Sequence, residues 1–137
     1  MMTEQEKLVL MQAAEAARLK SYSPYSHFCV GAALLGASGT VYTGCNVENA
    51  AYTPTNCAER TAFFKAVSEG ERTFEAIAIT GGREGEKPSF CAPCGVCRQV
   101  MAEFCTGDFS ILLGNSDSVQ SMTLAELLPE RFGPHSL

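Results

Sequence analysis

The sequence lacks three features that define large classes of proteins: an excess of basic residues, a long apolar run, and an internal repeat or low-complexity segment. Its formal net charge of −5 disfavours a nucleic-acid partner, because phosphate groups would be repelled, and disfavours an anionic membrane surface. Simple solubility also explains so mild an acidity. No apolar run is long enough to span a bilayer. We therefore expect no nucleic-acid partner and no membrane partner.

Two further absences concern the compartment in which the protein works. The segment that begins Met1-Met2-Thr3 has no basic region followed by an apolar core, so the sequence predicts no secretory signal peptide. The seven cysteines are an odd number, which fits poorly with a closed disulfide framework. We expect a cytoplasmic, reducing setting, where clustered cysteines are more often metal ligands or catalytic groups than disulfides.

The length of 137 residues suits one domain with one substantial core, so we expect residues 1–137 to form a single domain. Hydrophobic periodicity, capping boxes and turn residues predict the element order α-β-β-α-β-α-β-β-α. The predicted helices cover 5–20, 57–69, 94–104 and 123–128, and the predicted strands cover 28–35, 40–47, 74–80, 109–113 and 118–122. Asn56 is the predicted N-cap of the second helix. The predicted apolar face of the third helix consists of Val96, Val100 and Phe104.

The connections between the predicted strands indicate how the strands pair. A turn at 36–39 joins the first two strands as an antiparallel hairpin, whereas strands joined through helices favour parallel pairing. We therefore expect an α/β fold with three layers, α/β/α, built on a five-stranded mixed sheet with helices on both faces.

Two short segments carry the residues for a metal site: Cys57-Ala58-Glu59-Arg60 and Pro93-Cys94-Gly95-Val96-Cys97. Cys57 lies in the first turn of one predicted helix. Cys94 and Cys97 lie at i and i+3 in the first turn of another, so both sulfurs emerge on one side. Three thiolates can hold a zinc ion and leave its fourth position open. The positive ends of two helix dipoles would help to keep these cysteines as thiolates.

The residues beside Cys57 suggest what such a zinc ion would do. Glu59 is two residues from Cys57 and does not share its helix face, so we expect it to move protons for a zinc-bound water rather than to bind zinc. Arg60 can offset part of the excess negative charge by hydrogen bonding to a sulfur. A Cys-x-Glu segment followed by Pro-Cys-x-x-Cys agrees with the general signature of zinc deaminases.

The full set of motifs resembles the small, homotetrameric, zinc-dependent type of cytidine deaminase over nearly the whole chain. The matching segments are Ser23-Pro24-Tyr25-Ser26, Phe28-x-Val30-Gly31-Ala32-Ala33, Gly44-Cys45-Asn46-Val47-Glu48-Asn49-Ala50, Cys57-Ala58-Glu59-Arg60, Pro93-Cys94-Gly95-Val96-Cys97-Arg98-Gln99, and Leu127-Leu128-Pro129 followed by Phe132. The zinc motif alone is shared with other deaminases, whereas its combination with Asn46-x-Glu48 is far more specific.

The resemblance implies hydrolytic deamination of cytidine and 2′-deoxycytidine to uridine and 2′-deoxyuridine, a step of pyrimidine salvage that releases ammonia. It implies one Zn²⁺ per subunit, held by Cys57, Cys94 and Cys97. In this family, zinc-bound hydroxide attacks C4 of cytosine. Glu59 then acts as the proton shuttle, which protonates N3 of the ring and helps the amine to leave.

The resemblance also implies a set of substrate contacts. The backbone N–H of Ala58 holds the pyrimidine O2. The carbonyl of residue 92 holds the leaving amine; the family often has Ser where this chain has Ala92, and a backbone contact survives that change. The remaining implied contacts are Asn46 and Glu48 with the ribose 3′-hydroxyl, Phe28 packed on the nucleoside, and Phe132 of a neighbouring subunit closing over the base.

The residues themselves support part of this assignment. An asparagine and a carboxylate at i and i+2 near the end of a strand can point into one pocket. Glu48 would repel a phosphate, so we expect nucleosides to be preferred over nucleotides. Asn46 and Glu48 are also common turn-forming residues, and Phe132 could equally be ordinary tail packing.

Several alternatives stay open at this point. Cys91 is a rival ligand, because Cys91-x-x-Cys94 has the same spacing, although Pro93 and the helix start after it favour Cys94 and Cys97. We expect the other cysteines to be small core residues and the histidines to lie in a solvated loop and the tail: Cys29, Cys45, Cys105, His27 and His135. Two other functions compete: a deaminase of a modified cytosine nucleoside such as blasticidin S, and a non-catalytic protein with structural zinc.

Overall fold

A computed structural model describes residues 1–137 as one five-stranded mixed sheet with helices on both faces, in the strand order β2-β1-β3-β4-β5. The elements are α1 (Glu4–Arg18), β1 (Phe28–Gly36), β2 (Val41–Cys45), α2 (Ala58–Ser68), β3 (Phe74–Arg83), α3 (Gly95–Phe104), β4 (Ser110–Asn115), β5 (Ser118–Thr123), α4 (Leu124–Leu127) and a 3₁₀ turn, Pro134–Ser136. The predicted α/β class and the five-stranded mixed sheet are confirmed. None of the helices combines the length and the apolar character that crossing a membrane requires.

Strand direction brings the ends of three strands to one edge of the molecule. β1 is antiparallel to both β2 and β3, and β3 is parallel to β4. The parallel pairing of β3 with β4, which are joined through a helix, is as predicted. β2 and β3 also run in the same direction, but they do not pair, because β1 lies between them. As a result, the start of β1 lies beside the ends of β2 and β3. The helices that follow β2 and β3, which are α2 and α3, therefore both begin at this end of the sheet.

The two faces of the sheet carry side chains of different size. Ile77 and Ile79 of β3 point toward α2 and α3, where Phe63 is fully buried. Ala76 and Ala78 alternate with them and face α1. These small residues let α1 approach closely, and Gly31 makes the closest approach, because a Cβ there would lie 2.0 Å from the carbonyl oxygen of Ala14.

The prediction that Asn56 caps α2 is wrong, because Cys57 is the N-cap. The backbone of Asn56 is instead paired with Val47, donating and accepting at 2.9 Å, which holds Asn56 in an extended bridge. Its side chain donates to Thr61 rather than to a helical N–H. The extended bridge therefore sets the start of α2 one residue later than an Asn cap would.

Two other local predictions also differ from the structure. β3 does not end at residue 80 but continues to Arg83, because Gly81 and Gly82 pair with β1. The buried face of α3 is formed by Cys97, Met101 and Ala102, whereas Val96 is 57% exposed. The predicted spacing of four residues is correct, but the buried face lies one residue further along the chain than predicted. Cys97 therefore points inward instead of Val96.

Candidate active site

The three cysteines of the zinc motif come together from the starts of two helices. Cys57 is the N-cap of α2, Cys94 is the N-cap of α3, and Cys97 lies in the first turn of α3. Their sulfurs all lie within 4.8 Å of one another, with 3.8 Å between Cys57 and Cys94 and 3.6 Å between Cys94 and Cys97. A tetrahedral zinc ion with Zn–S bonds of about 2.3 Å places its sulfurs about 3.8 Å apart. The cluster therefore fits zinc, with three protein ligands and one open position.

The start of each of these two helices is left without a side-chain cap. Neither Cys57 nor Cys94 accepts a hydrogen bond from its helix, whereas α1 and α4 each begin with a complete capping box. The unpaired N–H groups and the positive dipole ends of α2 and α3 therefore face the sulfur cluster. This field favours thiolates, which are the form of cysteine that binds a metal.

Protons are distributed unevenly over the cluster. Interaction with the nearby Cys97 thiol, with help from the Arg60 guanidinium, lowers the pKa of Cys57 to about 5. The same interaction, together with burial, raises the pKa of Cys97. Cys57 is thus the first thiolate of the cluster, and binding of a divalent cation would displace the remaining protons.

Arg60 contacts the cluster from the first turn of α2. Its Nη2 donates to the sulfur of Cys57 at 3.2 Å, and its Nε is buried without a partner. A guanidinium beside the sulfurs offsets the excess negative charge that three thiolates place around a divalent ion.

Replacing Arg60 with glutamine should lower zinc affinity by about 10- to 100-fold, because the charge next to the thiolates is lost while the ligands remain. Competition with a chromophoric chelator measures this affinity. Arg72→Gln is the control, since Arg72 is exposed in the loop between α2 and β3. Unchanged affinity in Arg60→Gln would mean that Arg60 has no role at the metal.

Glu59 is the second buried polar residue at the start of α2. It is 4% exposed and belongs to none of the three ion pairs in the structure. Burial raises the pKa of Glu59 to about 7, and the negative charge of Cys57 acts in the same direction. A buried carboxyl group without a basic partner, beside a metal site, is typical of a proton-transfer group.

Cys91 lies outside the sulfur cluster. Its sulfur packs against the backbone of β3, where a Cβ on Gly81 would approach it to 3.0 Å. Burial, followed by the nearby charge of Glu59, raises the pKa of Cys91 to about 11. Cys91 therefore remains a neutral thiol, and the geometry favours Cys94 and Cys97 as ligands.

The remaining cysteines and the histidines do not contribute to the cluster. Cys29 is buried as expected, but Cys45 and Cys105 are only partly buried. Cys45 donates to the carbonyl of Lys20 at 3.3 Å. His27 pairs with Glu84 at 3.4 Å on an exposed loop.

Phe28 and Asn46 meet where β2 ends beside the start of β1. The amide of Asn46 accepts from Val30 N–H at 2.9 Å and donates to the Phe28 carbonyl at 2.8 Å, so it continues the pairing that β2 backbone would have made. One amide N–H of Asn46 is left free. Phe28 is 40% exposed, and its ring lies over Gly81, with Cε1 3.2 Å from the position of a Cβ there.

Glu48 is held by the loop that precedes β1. Its Oε1 accepts from the backbone N–H groups of Tyr25 and Ser26 at 3.0 and 3.1 Å, and its Oε2 accepts from the Ser26 hydroxyl. The hydrogen bond from Ser26 lowers the pKa of Glu48, so the carboxylate is ionised at neutral pH. It borders a cavity of about 300 Å³ that Tyr25 and Tyr52 also line.

The remaining predicted substrate contacts, Ala58, Ala92 and Phe132, differ in burial. Ala58 is buried as the first residue of α2, where its N–H has no acceptor within the helix. Ala92 is exposed in the segment before α3. Phe132 is 60% exposed, and its carbonyl accepts from Gln99 at 2.9 Å, which fixes the backbone beside α3 and leaves the ring free.

Comparison with known proteins agrees with this geometry. Residues 3–113 match the family described as the cytidine and deoxycytidylate deaminase zinc-binding region. The chain is 51% identical over 129 residues to the cytidine deaminase of Sporosarcina psychrophila, covering 93% of this chain and 92% of the relative. It is 50% identical over 128 residues to that of Halalkalibacterium halodurans, covering 93% and 94%.

A solved structure is similar as well. The crystal structure of the cytidine deaminase from Burkholderia pseudomallei superposes with a TM-score of 0.83 at 47% identity, covering 96% of this chain and 100% of that one. The fold and the sulfur cluster define a zinc-dependent hydrolytic deaminase. The chain belongs to the cytidine deaminase family, and Zn²⁺ is its cofactor.

Proposed function

We propose that residues 1–137 form a single deaminase domain that hydrolyses cytidine and 2′-deoxycytidine to uridine and 2′-deoxyuridine with release of ammonia. The observation that carries this proposal is the sulfur cluster spaced for zinc next to the buried, unpaired carboxyl group of Glu59. Three ligands leave a position open for chemistry, whereas a structural zinc site has four protein ligands. The relatives named cytidine deaminase favour cytidine over a modified nucleoside such as blasticidin S.

Cys57, Cys94 and Cys97 would hold the metal, which supplies when bound a water of lowered pKa as the nucleophile. In the net reaction, a C–O bond forms at C4 of the pyrimidine, the C4–N bond breaks, and one water is consumed for each ammonia released. Glu59 takes up the proton of the water and delivers it to N3. It then takes the second proton of that water, now on the C4 hydroxyl, and passes it to the departing amine as the C4–N bond breaks.

The backbone around Glu59 can orient the base. The free N–H of Ala58 would donate to the pyrimidine O2, and the carbonyl of Ala92 would accept from the exocyclic amine. Both groups belong to the segments that carry the sulfur ligands, so the ring and the nucleophile are positioned by the same two helix starts.

Asn46 and Glu48 can together bind one hydroxyl group. Asn46 has one free N–H to donate, and Oε2 of Glu48 has room to accept, which matches the donor and acceptor of the ribose 3′-hydroxyl. Cytidine and 2′-deoxycytidine both carry this hydroxyl, so both are expected to be substrates. The ionised Glu48 would repel a phosphate.

Cytidine should therefore be deaminated with a kcat/KM at least about 100-fold above that of CMP. Replacing Glu48 with glutamine should lower kcat/KM for cytidine about 10- to 100-fold, because charge-assisted hydrogen bonds to the substrate are lost. Loss of cytosine absorbance measures both effects. Glu75→Gln is the control, because Glu75 is exposed on β3. Comparable turnover of CMP and cytidine would contradict the proposed nucleoside preference.

We also propose a homotetramer in which Phe132 of one subunit closes over the base bound by another. The exposure of Phe28 and Phe132 agrees with this assembly, because exposed aromatic side chains can form part of a subunit interface or a ligand site. Sedimentation velocity measures the assembly. A role in pyrimidine salvage in the cytoplasm agrees with a metal site of reduced thiols and with the absence of any disulfide among the seven cysteines.

A further inference from the structure

Arg18 carries a buried charge that no acidic residue neutralises. The residue is 6% exposed and belongs to none of the three ion pairs in the structure. Arginine is almost never this deeply buried unless it is paired, because removing the charge from water is costly. Its position in the last turn of α1, where the helix dipole is negative, offsets part of that cost.

The guanidinium of Arg18 is satisfied by three backbone carbonyls at the end of the β1–β3 ladder. Its Nε donates to the carbonyl of Cys29 at 2.9 Å. Its Nη2 donates to the carbonyls of Gly82 and Arg83 at 2.9 and 2.8 Å. Cys29 and Gly82 are opposite each other in the ladder, so one side chain ties α1 to both strands at this point.

The end of the ladder that Arg18 holds is also the position of Phe28. Phe28 is paired with Arg83, the last residue of β3. On the other edge of β1, β2 has already ended at Cys45. Asn46 continues the pairing, with its backbone N–H donating to the Val30 carbonyl at 3.3 Å and its side chain bonding to Val30 and Phe28. The backbone of Phe28 is thus fixed from one edge by Asn46 and from the other by a β3 end that depends on Arg18.

We propose that Arg18 is a positioning residue that holds the ring of Phe28 in place for the nucleoside. This inference rests on the proposed function, in which Phe28 packs on the substrate. None of the Arg18 hydrogen bonds reaches α2 or α3, which carry Glu59 and the sulfur cluster. Its loss therefore weakens nucleoside binding in the ground state and the transition state alike, which raises KM and leaves kcat unchanged.

Steady-state kinetics on cytidine test this inference. In Arg18→Met, KM should rise about tenfold while kcat stays within about twofold and zinc content is unchanged. Arg18→Lys should lie between Arg18→Met and the wild type, because one ammonium group on a shorter stem reaches fewer of the three carbonyls. Arg72→Met is the control and should match the wild type.

A second measurement does not depend on activity. The chain contains no tryptophan, so Phe28→Trp creates a single fluorescent reporter at the proposed platform. Acrylamide quenching of this reporter should increase at least about twofold when Arg18→Met or Arg18→Lys is added, and it should not change with Arg72→Met. The quenching comparison decides the positioning role even if the wild type fails to convert cytidine, a result that would instead overturn the proposed function.

Two outcomes would overturn the inference. The first is a lower melting temperature in both Arg18 variants with KM and quenching at wild-type values, because Arg18 would then act on stability alone. The second is a fall in kcat at constant KM, which would place its effect on the chemical step.

Discussion

Replacing Glu59 with glutamine should lower kcat on cytidine by about 10⁴-fold, the upper end of what one proton-transfer group contributes. The amide has the shape of the carboxyl group but cannot take up a proton. Glu59 is 4% exposed, so bulk water has little access to replace it. The loss of cytosine absorbance gives kcat, and elemental analysis of the same sample gives the zinc content, which stays at the wild-type level because Glu59 is not a ligand.

The matched control is Glu103→Gln, which removes an exposed carboxylate from α3 and should leave kcat unchanged. Activity that survives in Glu59→Gln with zinc retained would rule out Glu59 as the proton shuttle. Loss of zinc in the same variant would make Glu59 a ligand. No deamination of cytidine by the wild-type protein would favour the structural-zinc hypothesis.

Removing zinc with a chelator should abolish turnover and lower the melting temperature by about 10 °C. Zinc present at 1,000 times its Kd stabilises a protein by about 4 kcal/mol, and each kcal/mol shifts the melting temperature of a chain of this size by about 2–4 °C. Activity and melting temperature should return together as zinc is added back, and calorimetry of the same samples measures the second quantity.

Magnesium and calcium are the control ions. Neither should restore turnover, because both prefer oxygen ligands and do not replace zinc among three thiolates. Cys105→Ala is the control for general thiol effects, since this partly buried cysteine lies outside the cluster. Full turnover in protein that contains no zinc would contradict the metal-dependent reaction.

Much of the fold could be predicted because its determinants are local in the sequence. Capping boxes at Thr3 and Thr123, apolar runs and turn residues located the elements. The zinc ligand set was accessible for the same reason, since Cys57, Cys94 and Cys97 lie within two short motifs. Helix rotation was harder to predict: a spacing of four residues fits more than one face, and α3 turns Cys97 rather than Val96 toward the core.

Contacts between a side chain and a distant backbone could not be predicted in this way. Arg18 binds the carbonyl of Gly82, 64 residues away, and no pattern in either segment indicates the other. The same is true of Asn46, which was expected to contact the sugar but also completes the pairing of β1. Ser26 was part of a recognised motif, yet its hold on Glu48 depends on how the loop folds.

The uncapped starts of α2 and α3 have a consequence for protein engineering. Serine, aspartate or asparagine at an N-cap stabilises a helix by about 1 kcal/mol relative to residues that do not cap. Cys57 and Cys94 occupy these positions without capping. A library selected for thermal tolerance under metal-poor conditions would therefore favour capping residues at both positions. The most heat-resistant variants from such a selection would lack two of the three sulfur ligands, and they would therefore have lost zinc binding and deaminase activity.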